Sequence, residues 1–407
     1  MATGRRGLTP MRILHVIPAV AAQYGGPSAA IIGMCRALRL AGLDAVIATT
    51  DADGPARLPV DTGVITTHHE LPTIFFRRQA TESFKWSTAL ASWLTAHVRE
   101  FDLVHVHAVF SHSSLAAGRA CRAAQVPYIV RPLGSLDPWS LDQHPRRKQL
   151  LMALGARRFL AGARRIHYTT IAEGRLAEER LPWLPQGHVV PLGIDDEFFA
   201  SMEMPRRREA PVLVAMCRLH PKKSLDLLIE AFHQTSQFES LASWRLLIVG
   251  EGDPEYSKAL RQAASAGPAA ARIEFKGWLS GEARREQLRT ATLFALPSQQ
   301  ENFGIAVVEA MASGLPAIVT PAVNLADEIV AAGAGWVCDG NVASLSDTLR
   351  RAMADREVLA RRGQRARECA GRFRWSSVAD GLRMLYEQAR EARTALAHDP
   401  VRVAASP

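Results

Sequence analysis

Short apolar segments alternate with amphipathic stretches along the first half of the chain, and this alternation restricts the fold more than any other feature. The segments with strand character are Arg12–Ile17, Ala45–Thr49, Leu103–His107 and Tyr128–Val130. The stretches with helical periodicity are Ser28–Leu40, which Gly42 closes, Ser83–Arg99 and Ser114–Ala124. Strands that are apolar throughout are typical of a parallel sheet covered by helices on both faces. The first half therefore predicts an α/β domain.

The second half repeats this rhythm without repeating the sequence. Strands are expected at Val212–Met216, Arg245–Val249, Ile273–Phe275, Leu293–Leu296 and Ala317–Val319. Helices are expected at Leu225–Gln234, Tyr256–Ala264, Ile305–Ala312, Arg351–Gly363 and Ser377–Thr394. We therefore predict an α/β protein of two Rossmann-like domains, with parallel sheets that face each other across a cleft.

Domain boundaries follow from the polar, arginine-rich stretch Asp195–Pro211, which we interpret as a linker. We expect an amino-terminal domain over residues 11–197 and a second domain over 210–374. A helix over 375–395 and a disordered tail over 396–407 complete the chain.

Composition is compatible with a soluble, intracellular protein. With 407 residues, the chain exceeds what one core ordinarily organises, and 48% of its residues are hydrophobic and 22% charged. No uninterrupted apolar run approaches the roughly 18 residues of a membrane-spanning helix. The run Ile13–Ala22 follows Arg5 and Arg6 as a signal-peptide core would, but His15 and Pro18 interrupt it, which favours a buried strand.

The cysteines predict neither a zinc site nor a disulfide framework. There are five, far apart and never in a C-x-x-C pair, which is typical of a reducing cytosol. We interpret them as small buried side chains.

The formal net charge is +9, with basic clusters at Arg146-Arg147-Lys148, Arg157-Arg158, Arg164-Arg165, Arg206-Arg207-Arg208 and Arg361-Arg362. These clusters are either solvated helix faces or attract an anionic partner such as lipid headgroups or nucleotide diphosphates. No aromatic residues interleave with basic ones in the manner of RNA-binding modules, so no nucleic-acid partner is expected.

The strongest motif is residues 297–316, Pro-Ser-Gln-Gln-Glu-Asn-Phe-Gly-Ile-Ala-Val-Val-Glu-Ala-Met-Ala-Ser-Gly-Leu-Pro. It predicts a strand end, a turn and a helix that begins near Gly304. The amides of Phe303, Gly304 and Ile305 would then face a diphosphate at the positive end of the helix dipole. Glu301 and Glu309 would repel phosphate, so we expect them to accept hydrogen bonds from the hydroxyls of a ribose and a sugar.

A second motif, residues 216–232, begins Met-Cys-Arg-Leu-His-Pro-Lys-Lys-Ser. Arg218 follows the end of a strand and can hold phosphate oxygens with two parallel hydrogen bonds, and Lys223 adds a charge at the next helix start. Together they can neutralise a departing diphosphate, a contribution that replaces a metal ion. Lys222 is expected to face solvent.

Two weaker patterns resemble ligand-binding motifs but are also common in ordinary turns. Gly250-Glu251-Gly252 lacks the third glycine of a dinucleotide fingerprint and Pro254 follows it, so the match is poor. Asp51-Ala52-Asp53 has the spacing of a metal-binding pair but precedes Gly54, and we interpret it as turn chemistry. No metal site is expected.

The two strong motifs together resemble those of retaining glycosyltransferases of family 4, which have the GT-B fold. The resemblance rests on Glu-x7-Glu around Phe-Gly, and on Arg-Leu-x-x-x-Lys, and spans roughly residues 12–390. It implies that Glu309 holds the ribose, that Glu301 orients the transferred sugar, and that the last helix crosses back to the first domain. Ser224 departs from the family pattern, because glycine is usual there.

In the first half the resemblance is less specific. Gly25 and Gly26 match the family loop through which the donor diphosphate meets the acceptor domain. His107, at a strand end, is expected to face the cleft as a catalytic candidate. Leu133 replaces a family histidine that contacts the donor sugar, so we expect either that Arg131 or His107 compensates or that the transferred sugar differs.

The resemblance implies transfer of a hexose from a UDP- or GDP-linked sugar, without cofactor or metal, to a glycan or lipid-linked glycan in cell-surface polysaccharide synthesis. With the positive charge, it implies a cytoplasmic enzyme that contacts the inner face of the plasma membrane. One alternative is an NAD-dependent sugar-nucleotide epimerase or oxidoreductase, but the glycine fingerprint and the Tyr-x-x-x-Lys pair that it needs are missing. A sugar- or nucleotide-binding protein without catalysis is disfavoured because binding alone does not require charges placed at a leaving group.

Overall fold

The structure, a computed structural model, describes residues 10–199 and 210–397. The arginine cluster at 206–208, most of the expected linker and the tail from residue 398 lie outside the described residues. The described chain forms two compact units, residues 10–193 with 375–397, and residues 194–199 with 210–374. The chain leaves the first unit at Gly193, four residues before the expected boundary, and Ile194 pairs with Arg374 within the second unit.

The first unit is built on a sheet of strand order β10-β9-β8-β7-β1-β2-β6-β5. Its strands are β1 Arg12–Ala19, β2 Asp44–Thr50, β5 Ile65–His68, β6 Leu71–Phe76, β7 Leu103–His107, β8 Tyr128–Arg131, β9 Arg165–Tyr168 and β10 Gly187–Val189, with β3 Ala52–Asp53 and β4 Ala56–Arg57 forming a separate hairpin. All neighbours in the main sheet are parallel except β5 and β6. The central strand β7 is buried along its whole length, as its apolar composition predicts.

Helices cover both faces of this sheet. They are α1 Gly26–Leu40, α2 Thr88–His97, α3 His112–Ala124, α4 Pro138–Asp142, α5 Pro145–Leu151, α6 Arg157–Ala161 and α7 Ile171–Arg180. The C-terminal helix, Trp375–Ala397, belongs to this unit and lies with α1 on one face. It buries Val378, Leu382, Leu385 and Ala389, a spacing of three and four residues that keeps one helical stripe against the sheet.

The second unit has a fully parallel sheet in the order β13-β12-β11-β14-β15-β16. The strands are β11 Val212–Met216, β12 Arg245–Val249, β13 Ile273–Phe275, β14 Leu293–Leu296, β15 Ala317–Val319 and β16 Gly335–Val337. The helices are α8 Leu225–Thr235, α9 Pro254–Ser265, α10 Gly281–Thr290, α11 Ile305–Ala312, α12 Ala326–Ala331, α13 Val342–Ala354 and α14 Arg356–Ala370. The predicted architecture of two Rossmann-like domains with parallel sheets is confirmed.

Each sheet has one point where the strand order reverses, and there the carboxyl ends of two adjacent strands open a crevice. In the second unit this point lies between β11 and β14, from which the two strong motifs leave. In the first unit this point lies between β1 and β7. The loop after β1 contains Gly25, and the residue after β7 is Ala108.

The expected helix Arg351–Gly363 is wrong. The chain breaks at Asp355, whose carboxylate accepts hydrogen bonds from the amides of Glu357 and Val358 and so starts α14. The helix expected from Ser83 begins at Thr88, because Ser87 caps it by accepting from the amide of Leu90 at 3.3 Å. The expected disordered tail from residue 396 overlaps the last helix, which continues to Ala397.

Candidate active site

The Arg218 segment is fixed against its neighbouring loop through backbone contacts. The amide of Cys217 donates to Val249 at 3.0 Å, and the amide of Leu219 donates to Glu251 at 2.9 Å. A Cβ on Gly250 or Gly252 would lie 1.9 Å from a carbonyl oxygen of this segment. These two glycines therefore permit close backbone packing, which explains the partial resemblance to a dinucleotide turn.

Between those two anchors, the Arg218 side chain is exposed and has no ion pair among the described residues. A guanidinium held at the carboxyl end of β11 is suited to bind phosphate oxygens from solution.

Lys223 reaches across to the loop of the other strong motif. Its ammonium group forms an ion pair with the Glu301 carboxylate, and both side chains are largely buried. The loops are also joined by the amide of Gln299, which donates to the carbonyl of Lys222 at 2.8 Å. The structure thus brings Lys223 and Glu301 together, as the sequence suggested only indirectly.

Ser224 adopts a left-handed backbone conformation, with φ of 48°. This conformation explains why glycine is usual at the corresponding family position, because glycine reaches it without steric cost. The Ser224 hydroxyl is buried and has no hydrogen-bond partner among the described residues.

Glu301 precedes the turn into α11. Its own amide donates to Ala322 at 2.9 Å and its carbonyl accepts from Asn324 at 3.0 Å, so the backbone of this residue is fixed on both sides. Gly304 then adopts φ of 74° immediately before α11. The first amides of a helix have no acceptor within that helix, so the amides at Ile305 and the residue after it are oriented for an anion.

Phe303 does not face solvent. Its side chain is 3% exposed and packs edge-to-face on Phe373, with ring centroids 5.6 Å apart. Its expected contribution, the backbone amide, does not depend on the side chain.

Glu309 is buried in α11, where it forms an ion pair with Arg284 of α10. Burial raises the pKa of Glu309 to about 7, although Arg284 acts in the opposite direction and Asp195 adds a smaller rise. Arg284 also directs Nε to the Met216 sulfur at 3.2 Å. Sequence reasoning missed Arg284, because nothing in the pair Arg284-Arg285 shows which side chain reaches Glu309.

Trp278 is a second residue that the sequence did not single out. It follows β13, its side chain is 62% exposed, and its amide donates to the Glu251 carboxylate at 3.4 Å. An exposed aromatic ring one loop away from Arg218 is suited to stack on a flat ligand.

In the first unit, Gly25 has φ of 68° and precedes the first residue of α1, Gly26. The chain therefore places a helix amino terminus directly after β1, at the reversal point of this sheet. Asp51 is buried and accepts from the amide of Arg78 at 2.7 Å, while Asp53 pairs with Ala56 in the hairpin around Gly54. The interpretation of this stretch as a turn agrees with that hairpin.

The expectation that His107 faces the loops is wrong. His107 is fully buried, like His105. Its Nε2 lies 3.1 Å from Nδ1 of His15 and does not reach the loops. Burial, with the nearby Arg131 charge, lowers the pKa of His107 well below its usual range. In the described structure His107 packs against His15, and its catalytic role stays a prediction.

Arg131 is 2% exposed and lies in the same buried cluster, where burial lowers its pKa to about 10. His15, His105 and His107 have nitrogens within 4.8 Å of one another, a spacing compatible with a metal ion. The adjacent guanidinium of Arg131 would repel a divalent cation, however, so this cluster is a poor metal site.

Leu133 has φ of 58° and Gly134 has φ of 71°, so the turn after β8 keeps two consecutive left-handed residues. The amide of Gly134 donates to the buried Glu173 carboxylate at 2.8 Å. Histidine is enriched in this region of backbone space whereas leucine is strained there. The turn retains its shape although the family histidine is absent.

Comparisons with known proteins agree with the division of the chain into two units. The family model "Glycosyl transferase 4-like domain" matches residues 25–193, and the model "Glycosyl transferases group 1" matches residues 200–369. D-inositol 3-phosphate glycosyltransferase of Nocardia farcinica is 27% identical over 302 residues, which are 71% of this chain and 67% of the relative. Mannosylfructose-phosphate synthase of Agrobacterium fabrum is 34% identical over 145 residues, 33% of this chain and 32% of the relative.

Solved structures support the same fold. Sucrose-phosphate synthase from Thermosynechococcus elongatus superposes with a TM-score of 0.74 at 19% identity, covering 94% of this chain and 100% of that one. Anabaena HepE in complex with UDP and glucose has a TM-score of 0.71 at 19% identity, covering 93% and 99%. Both family models describe glycosyltransferases, so the alternative of an NAD-dependent epimerase or oxidoreductase is not supported.

Proposed function

The chain is a glycosyltransferase with the GT-B fold, and we propose that it transfers a hexose from a nucleotide sugar to an acceptor hydroxyl with retention of configuration and without a metal ion. The observation that carries the proposal is the pairing of Lys223 with Glu301 beside the exposed Arg218 and the start of α11. Two cations, a helix amino terminus and two carboxylates meet at the reversal point of the second sheet.

In this proposal each group has a separate task. Arg218, Lys223 and the amides at Gly304 and Ile305 stabilise negative charge on the diphosphate as the bond to the sugar breaks. Glu309 accepts hydrogen bonds from the ribose, and Glu301 accepts from hydroxyls of the transferred sugar.

The acceptor hydroxyl attacks the anomeric carbon from the face that the diphosphate is leaving, and its proton passes to a leaving phosphate oxygen. The new glycosidic bond then has the configuration of the bond that broke. Because the positive charges are supplied by side chains and amides, this step needs no divalent cation.

For the donor, we propose a UDP- or GDP-linked hexose, with the base stacked on Trp278. The HepE structures contain UDP or UDP-glucose, which supports UDP as the first candidate. In the first unit, Gly25 and Gly26 allow the backbone to approach the diphosphate closely.

For the acceptor, we propose a glycan or lipid-linked glycan in cell-surface polysaccharide synthesis, used by a cytoplasmic enzyme that contacts the anionic inner face of the membrane. The net charge of +9 supports such a contact. Among the described residues, no helix is both long enough and apolar enough to cross a bilayer. A competing acceptor is a small sugar phosphate, since relatives are named for inositol phosphate and sucrose phosphate.

A thermal-shift screen with UDP, GDP, ADP and their sugar conjugates, with and without EDTA, tests the donor site. A nucleotide at about one hundred times its dissociation constant should stabilise the fold by roughly 2.7 kcal/mol. A shift that survives EDTA supports the metal-free site and identifies the base. No shift with any of these ligands would refute it.

Two variants then separate catalysis from folding. Glu301→Gln and Lys223→Met should each lower turnover by at least about tenfold, as expected when a group acting on the transition state is removed. Lys258→Met is the matched control, because Lys258 is an exposed lysine on α9. Full activity in both site variants would rule out these assignments.

A further inference from the structure

Residues 145–161 in the first unit present an unusual exposed surface. Here α5 and α6 follow β8 and are joined through Met152–Ala156, where the chain kinks at Gly155, whose φ of 147° is not helical. The inner side of this segment buries Ala156, Phe159 and Leu160 in the core. Its outer side leaves Leu150 58% and Leu154 70% exposed.

Exposed basic side chains flank these leucines in the sequence. The exposed members are Arg146, Arg147, Arg157 and Arg158. Residues 145–161 contain five Arg or Lys and no Asp or Glu. Arg146 and Arg158 form no ion pair within the part of the chain that the structure describes.

An exposed helix side in water is normally polar, with charges of both signs. Two exposed leucines between pairs of arginines are instead typical of a segment that lies in the interface of a membrane, with apolar side chains in the acyl boundary and cations at the headgroups. Trp139 of the preceding α4 is 46% exposed, and tryptophan is enriched at this depth.

We propose that residues 145–161, with Trp139, form the surface by which this protein binds an anionic membrane. The proposal rests on the membrane contact of the proposed function and assigns that contact to particular residues. A second copy of the chain is a poorer occupant, because a symmetric contact would bring five positive charges against five.

Co-sedimentation tests the proposal, using vesicles of phosphatidylcholine with or without phosphatidylglycerol. The full chain should bind the anionic vesicles at low salt and dissociate at high salt, because Debye screening weakens surface charge. The double variant Arg146→Gln/Arg158→Gln should bind roughly 25-fold more weakly, since each basic residue near an anionic surface contributes about fivefold. Leu150→Ser/Leu154→Ser should also weaken binding at low salt, because it removes the apolar side chains that would enter the acyl boundary.

The matched control is Leu40→Ser/Arg99→Gln, which removes an 85% exposed leucine and an exposed arginine elsewhere in the same unit. It should bind like the unmodified chain. All variants should keep the thermal shift with donor nucleotide, which shows that they are folded.

Two outcomes would overturn different parts of the proposal. If the unmodified chain binds anionic vesicles and both double variants bind equally well, this surface is wrong and the membrane contact lies elsewhere. If the unmodified chain does not bind at low salt, the membrane contact itself is wrong. In neither case is the donor site affected, because its thermal shift is measured without lipid.

Discussion

Tyr386 of the C-terminal helix donates its hydroxyl hydrogen to Nδ1 of His105 on β7, at 3.0 Å. This hydrogen bond is one of a series that joins Tyr386, His105, His167 and the carbonyl of Val190. Which atom donates in it follows from that carbonyl. The carbonyl of Val190 accepts from Nε2 of His167 at 2.8 Å, so neutral His167 must accept at Nδ1. His105 therefore donates from Nε2 to His167 at 3.1 Å and keeps Nδ1 as the acceptor for Tyr386.

Tyr386→Phe should lower the free energy of unfolding by about 1–3 kcal/mol, because it leaves a buried imidazole nitrogen without a donor. Tyr168→Phe is the matched control. The Tyr168 hydroxyl is buried and has no partner among the described residues, so its removal should cost nothing or stabilise. Urea denaturation of both variants measures the difference, and equal losses would contradict this hydrogen-bond chain.

Acidification should destabilise the first unit. Burial lowers the pKa of His15 and of His167 to about 3, and those of His105 and His107 well below the usual range. These side chains are neutral in the folded protein but take up protons in the unfolded chain below about pH 6.5. The stability they allow is present above that pH and is lost as the pH falls, at a rate that reaches about 1.4 kcal/mol per pH unit for each histidine well below pH 6.5.

Urea denaturation at pH 7.5, 6.5 and 5.5 measures this slope. His167→Gln should reduce the stability lost between pH 7.5 and 5.5 by about 1.4 kcal/mol in total, whereas His144→Gln, which changes an exposed histidine, should leave that loss as it is. A slope unchanged in His167→Gln would mean that His167 does not stay neutral in the folded protein.

Ser224→Gly should stabilise the second unit by about 1 kcal/mol, because glycine adopts the left-handed conformation of this residue without strain. Ser224→Ala separates the two contributions, since alanine keeps the strain and removes only the unpartnered hydroxyl. Thermal unfolding should rank glycine above alanine. The reverse order would show that backbone strain at Ser224 is negligible.

Arg284→Met should make donor binding depend on pH in the neutral range. Burial already raises the pKa of Glu309 to about 7 against the opposing charge of Arg284, so removing that charge raises it further. The variant should bind the nucleotide sugar weakly at pH 7 and regain affinity as the pH rises and Glu309 ionises, by up to about tenfold per unit.

Titration calorimetry from pH 6.5 to 9 measures this dependence. The control is Arg285→Met, because Arg285 pairs with Glu282 at 2.9 Å and not with Glu309. Identical pH profiles for the two variants would exclude an action of Arg284 through Glu309.

The sequence predicted most elements that surround the ligand edge because apolar residues dominate their strands. β7, β11, β12, β13 and β14 have the bounds expected for them. The main-sheet strands β5, β9, β10 and β16 were missed because they are short or polar, and β6 was missed because Pro72 interrupts its apolar run. All five lie at or next to a sheet edge. Their patterns carry too little apolar periodicity to distinguish them from loops.

At the candidate site the sequence supplied the residue types but not their pairing. Glu301 and Lys223 are 78 positions apart, and only the strand order brings their loops together. Arg284 and Trp278 carry no motif, because their positions matter only through neighbours in space. His107 was assigned by its place at a strand end, which does not reveal that His15 lies against it.

The crossing of the chain back to its first unit has a consequence for synthesis on the ribosome. The sheet face that includes His105 is covered by the C-terminal helix, and 281 residues separate His105 from Tyr386. At about 5–20 residues per second, this face lacks the C-terminal helix for roughly 15–60 s while the whole second unit is made. The last helix is therefore a late requirement for native structure, and chains released before it emerges expose an apolar sheet to aggregation.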